Sequence, residues 1–290
     1  MASNLECVGL TVRDVDELTW LVAAVLPSAI PFGSARGVDV VRWQDPGGAR
    51  LVVALQDGQV VDWLPSFAGS AGARLVGVRM ANDEVATADV VGEDGEQLTS
   101  FAVEPEQRAL LDPAGGVGEI ACEAAVTALG VDVAVFDDEA EFAASDASLL
   151  SEDDAGSEPP PEYVVRGWAW PPRMAAESFF SYSVFGNPRE ATAHARLTGT
   201  VLEAGRRRTV LTGQEFWVAR VRTVGFEADL CLPAAEHPQA PHPGSVVAGT
   251  VFLVADLALD APPVLDGLHP TPDVEAEPGR RPGFLRRLRG

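Results

Sequence analysis

The sequence contains no lysine: all 21 basic residues among its 290 are arginine, against 43 aspartates and glutamates, for a formal charge of −22. Arginine alone, with abundant Ala, Val, Gly, Pro and Asp, reflects GC-rich coding. The charge has consequences for partners. A chain this negative repels phosphate backbones and anionic lipid surfaces at long range, which argues against nucleic-acid and membrane-surface binding by the whole molecule. Histidine is nearly as scarce. All four (His194, His237, His242, His269) lie after residue 190, so the first two thirds of the chain has no imidazole for acid–base work or metal ligation.

The three cysteines (Cys7, Cys122, Cys231) are isolated in apolar contexts and read as buried, reduced thiols. His237 and His242 sit in the proline-rich AAEHPQAPHPG, where Cys231 alone is near enough to extend a zinc set, so no metal site is expected. GEDGE lacks the ligand spacing of a calcium loop, and the glycines of LDPAGGVGEI follow no strand and offer no Lys, Ser or Thr to a phosphate. Gly-x-Ser-x-Gly and the kinase motifs are absent. No cofactor is expected. No window holds the roughly 18 apolar residues that a transmembrane helix needs, and MASNLECVGLTVRD lacks the basic-then-apolar pattern of a leader. The expected location is the cytoplasm.

What is present is apolar content of 47%, enough for a sizeable core, at a length that favours two domains. Charge is divided unevenly. Residues 1–190 carry 10 Arg against 32 acidic residues, residues 191–256 carry 6 against 6, and residues 257–290 carry 5 against 5. These shifts suggest an acidic α+β domain over 1–136 and an acidic, Pro-rich linker over 137–162, which has ten acidic residues and no basic one. An aromatic bridging segment follows over 163–190, then a β-barrel over 191–256 and a disordered tail over 257–290.

Within the first unit, residues 5–12 alternate like a strand. Asp14 with Glu17 makes a capping-box spacing ahead of Leu18, Leu21, Val22 and Val25, predicting a three-turn helix that ends before Pro27. Residues 38–43, 49–55 and 59–64 read as strands, with Asp57-Gly58 as a hairpin turn and Pro65 as a stop. Further strands are expected at 73–80, 84–91 and 96–103, while 117–129 and 131–136 fit either strand or helix. In the bridge, 165–170 reads as extended up to Pro171-Pro172, with a short helix from Arg173 to Phe185.

The segments Ala195–Val201, Gln214–Thr223, Phe226–Cys231 and Val246–Leu253, with Gly199 and Gly249 at strand bends, resemble a small OB-fold barrel. That resemblance implies a binding face. From Glu215 to Thr223, alternation places Trp217, Ala219 and Val221 toward the core and Phe216, Val218, Arg220 and Arg222 outward. Phe216, Arg220, Arg222 and the neighbouring Arg206, Arg207 and Arg208 would then line the surface on which OB folds hold single strands. A solvated face whose arginines pair with the acidic N-terminal domain is the competing reading.

The order strand, helix, strand, strand, strand over the first 65 residues, with CVGLTVRDVDEL and WQDPGGARLVV, is similar to one module of the vicinal oxygen chelate (glyoxalase-like) superfamily. Such a module implies metal ligands on its strands. Here the first strand offers Glu6 and no histidine, so the resemblance implies the fold without its metal chemistry.

The expected fold class is therefore α+β: a mostly antiparallel N-terminal domain followed by an OB-like barrel. The expected function is non-catalytic binding of a protein or other partner through Trp168, Trp170, Arg206, Arg207, Arg208, Phe216, Arg220 and Arg222. A glyoxalase-like enzyme or small-molecule binder in the N-terminal domain is the first alternative, and a single-stranded nucleic-acid binder the second. In the tail, Phe284, Leu285, Arg286, Arg287 and Leu288 form a short basic, apolar motif that suggests weak docking.

Overall fold

Asp14 begins the first regular element: its side chain accepts the Glu17 N–H at 2.9 Å and starts helix α1, Val15–Val25, which buries Leu18, Leu21, Val22 and Val25. The computed structural model describes residues 4–111, 121–154, 156–184 and 186–259. Most of the expected tail, including its docking motif, and the glycines of LDPAGGVGEI lie outside those residues. The architecture is sheet-rich α+β.

Residues 5–12 do not form the expected strand. Glu6–Val8 is a 3-10 turn closed by Gly9 at φ 67. Its polar groups are satisfied 200 residues away: Thr209 Oγ1 donates to Val8 O at 2.8 Å, Thr212 Oγ1 to Gly9 O at 2.6 Å, and Gln214 Oε1 accepts Thr11 N–H at 2.7 Å. A backbone whose partners sit on a remote turn needs no sheet ladder. The glyoxalase-like order thus loses its first strand.

After α1 come β1 Ile30–Ala35, β2 Val38–Gln44, β3 Ala49–Gln56 and β4 Gln59–Phe67, an antiparallel meander in the order β1-β2-β3-β4. Asp57 and Gly58 join β3 to β4 with φ of 51 and 74, as a primed turn requires. Arg36 and Gly37 make the same kind of turn before β2. The strand that leads into it, IPFGSA, carries no strand-like pattern. Pro65 does not stop β4, because β4 is an edge strand and a missing N–H there breaks no ladder.

The second sheet contains β5 Ala73–Met80, β6 Ala86–Val91, β7 Gln97–Pro105, β8 Cys122–Phe136, β9 Ser178–Ser181, β10 His194–Arg208, β11 Glu215–Thr223, β12 Phe226–Pro233 and β13 Val246–Leu257. Its axis is a long antiparallel ribbon of β8 and β13, paired from Ala124↔Leu257 to Phe136↔Val246. Toward one end, β12, β11 and β10 link β8 back to β13; toward the other, β5, β6 and β7 do the same. Two closed cycles of ladders therefore share one ribbon.

That topology corrects the expected C-terminal barrel. Strands β10 to β13 do not close on themselves; the cycle needs β8, from the other side of the acidic stretch. The glycines expected at bends lie where backbones crowd. A Cβ on Gly249 would strike Asp132 O and sit 2.7 Å from Val133 Cα, beside the β8–β13 register shift at Thr250/Val251.

The acidic stretch 137–162 is not a free linker along its length. Asp138 caps helix α2, Glu139–Ala144, and Phe142 packs with Phe136, Met174, Val246 and Ala248. The bridge also differs from expectation. Helix α3, Pro161–Arg166, opened by proline and closed by Gly167 at φ 66, takes in the first two residues of the segment expected to be extended, and β9 lies within the stretch expected to be helical.

Two main cores result. One runs through both cycles, from Leu75, Val90 and Phe101 to Val221, Leu230 and Leu253. The other gathers α1 and the four-stranded sheet against Leu129, Phe216, Val218, Cys231 and Phe252 from the opposite side of the second sheet.

Candidate functional site

Strand β11 lies between these two cores, and that position decides its side chains. Trp217, Ala219 and Val221 face the first core, as alternation predicts. Phe216 and Val218 do not face solvent: Phe216 is fully buried and meets Phe67 edge-on, ring centroids 6.2 Å apart. The expected binding face is covered by the four-stranded sheet. A strand buried on both sides reads as a continuous apolar run, and FWVA, residues 216–219, is one.

Arg220 is equally committed. It pairs with Glu227 at 2.9 Å and Asp229 at 3.0 Å, and donates to the carbonyls of Ser70 and Ala71, each at 3.0 Å. Burial pushes the Asp229 carboxyl up, and Arg220 opposes it. The group ties β11 and β12 to residues 68–72, and four of the five guanidinium N–H donors are used inside the molecule.

The remaining arginines are exposed and dispersed in role. Arg222 pairs with Glu177 at 2.8 Å, a contact that holds the Glu177 carboxyl below the usual range. Arg206 pairs with Glu215 at 2.6 Å and lies 5.5 Å over the Trp217 ring, whose N–H donates to His237 O. Arg208 donates to Gly213 O at 2.9 Å, and Arg207 is exposed. Arg206, Arg220 and Arg222 do pair within the molecule, but the carboxylates they meet, on Glu215, Glu227, Asp229 and Glu177, lie outside the acidic N-terminal domain, which supplies Arg220 with the carbonyls of Ser70 and Ala71.

Trp168 and Trp170 do come together. Both pack edge-on to Tyr163, at 5.4 and 4.8 Å, and the Arg166 guanidinium lies 4.7 Å over the Trp168 ring. Trp170 donates to Ser157 O at 2.9 Å. Beside them the short α3 turns its valines outward, Val164 64% and Val165 86% exposed, and Trp168, just past its end, is 52% exposed. Val164 and Val165 were not singled out from the sequence. The signal for them was present in Pro160-Pro161 and Gly167, start and stop marks that place two valines and an arginine on one helical turn.

The densest charged group was not legible at all. Arg42 on β2 and Arg50 on β3 each approach both Glu106 and Asp256, at 2.9 to 3.2 Å. Ser66 donates to Glu106 at 2.6 Å and Gln107 to Asp256 at 2.8 Å. Alongside, Arg108 pairs with Glu104 at 2.8 Å and with Asp62 at 2.5 Å. Burial and then Asp256 push the Glu106 carboxyl up, while Arg50, Ser66 and Arg42 pull it down. A depression next to it, lined by Val52, Asp62, Trp63, Glu106 and Arg108, has a volume of about 10 Å³, room for about one water. Among the described residues, no buried side-chain nitrogen or oxygen lacks a hydrogen-bond partner. The arrangement fastens one sheet to the other and has no room for a substrate.

The nucleophiles and bases elsewhere are quiet. Burial raises the thiols of Cys7, Cys122 and Cys231, away from the thiolate that nucleophilic chemistry needs, and lowers His194 and His237 toward neutral imidazole. Among the described residues, no three His, Cys, Asp or Glu side chains are grouped to hold a metal ion, and no helix is long and apolar enough to cross a membrane. No protein-family model, curated protein or solved structure matches the chain.

Proposed function

We propose that the chain is a non-catalytic binding protein whose contact surface is the aromatic segment around α3, with the strands acting as its scaffold. In this reading the cycle of β8, β10, β11, β12 and β13 is an OB-like cylinder with β8 as its fifth strand. The cylinder presents no ligand face of its own on β11, since Phe216 and Arg220 are used internally. A cytoplasmic setting fits three free cysteines, all buried.

The observation that carries the reading is the exposure of Val164, Val165 and Trp168 within five residues, next to a Trp168 ring already stacked under Arg166. Adjacent exposed aliphatic and aromatic side chains lose hydration when covered, about 25 cal/mol per Å² of apolar surface, and Trp and Arg are the residues that most often anchor interfaces. A protein partner is the class that this surface suits.

Affinity capture from the source cell with three tagged full-length chains tests it: wild type, Val165→Asp with Trp168→Ala, and Arg222→Ala. The partners held by wild type should persist with Arg222→Ala and disappear with the α3 variant. Equal capture by all three would overturn the assignment of the surface.

A further inference from the structure

The α3 surface sits in an acidic setting. Asp153, Glu158 and Glu162 are exposed just before or within it, and residues 137–162 contain ten acidic residues and no basic one. The opposite composition occurs once in this molecule. Residues 278–290, PGRRPGFLRRLRG, carry five arginines, no acidic residue, and the apolar Phe284, Leu285 and Leu288. We propose that this basic segment of the same chain docks on α3, its apolar side chains covering Val164, Val165 and Trp168 and its arginines facing the surrounding carboxylates.

The connection reaches. The last described residue is Leu259, so 24 residues, 260–283, separate it from Phe284. Covalent geometry lets a stretch of that length reach as far as about 85 Å. Tethering also supplies an effective concentration on the order of millimolar, so that a contact too weak to persist between separate molecules is populated within one. Against a body of strongly negative charge, the arginines confine the segment to acidic ground, and the exposed valines select α3 within that ground. The proposal rests on the reading of α3 as a contact surface and adds that the chain covers this surface itself until a partner displaces the segment.

Two measurements on full-length protein test it. In the first, hydrogen exchange at the amides of residues 163–168 is compared between wild type and a Phe284→Ser, Leu285→Ser, Leu288→Ser variant. In the second, trypsin cleavage after Arg286 and Arg287 is timed in wild type and in Val164→Asp, Val165→Asp. Docking predicts that each variant accelerates its readout by about fivefold or more, with no dependence on protein concentration. Unchanged rates in either experiment contradict the proposal, and so does protection that grows with concentration, which would assign the occupant to a second copy. Partner capture separates this from the reading beneath it. If the α3 variant loses its partners while the tail variant changes neither exchange nor capture, the surface stands and the self-docking falls. If the α3 variant frees the tail but keeps its partners, the reverse holds.

Discussion

The Glu106 side chain has no solvent exposure, yet it faces Arg42 and Arg50, the Ser66 hydroxyl and the Asp256 carboxylate. Its carboxyl lies above the ordinary value of 4.5, because removal from water favours the neutral form and Asp256 adds repulsion. The folded protein therefore holds this proton more tightly than the unfolded chain does. The stability linked to it is complete below 4.5 and is lost as pH rises through the raised value. Glu106→Gln cannot ionise, so relative to wild type it should gain stability steadily as pH is raised from 4.5 toward neutrality. Urea midpoints of the two proteins across that range measure the effect; a constant difference would show that Glu106 titrates alike in both states. This residue was invisible in the sequence because its partners Ser66, Arg50 and Arg42 lie 40, 56 and 64 positions away from it, and no local pattern encodes such a meeting.

Elements whose determinants are local were legible, and those placed by remote packing were not. The cap at Asp14, the apolar stripe of α1 and the turn at Asp57-Gly58 each depend on neighbours within a few residues. The 3-10 turn at Glu6–Val8 depends on Thr209, Thr212 and Gln214. Strand β11 is the sharpest case. Its alternation was read correctly for Trp217, Ala219 and Val221 and wrongly for Phe216, since a single strand does not reveal that a second sheet covers its other side. Phe216→Ala should therefore cost about 3–5 kcal/mol, as for a core phenylalanine. Chemical denaturation reads this directly, and a loss near zero would return Phe216 to the surface. Of the eight candidate contact residues, Trp168 and Trp170 alone gather into one group, and the exposed valines beside them went unread because a two-turn apolar segment looks extended or helical with equal ease.

Across the whole molecule, charge asymmetry does not mark a seam. The acidic first portion and the balanced later portion contribute strands to one sheet, joined by the β8–β13 ribbon and by the hydrogen bonds from residues 8–11 to the turn at 209–214. The negative field of the first portion therefore extends over the arginines of β10 and β11, which are largely paired already. Fluorescently labelled oligothymidylate should show no binding to the full chain at physiological salt, and a dissociation constant tighter than about micromolar would contradict that. Under the proposed function, a doubly cored sheet carries and the aromatic segment around α3 contacts. Hydrogen exchange on the full chain, with and without the partner it captures, tests that division most directly. Added protection should fall on residues 161–170 and leave 215–223 unchanged; protection centred on 215–223 instead would place the contact on the strand and contradict the account.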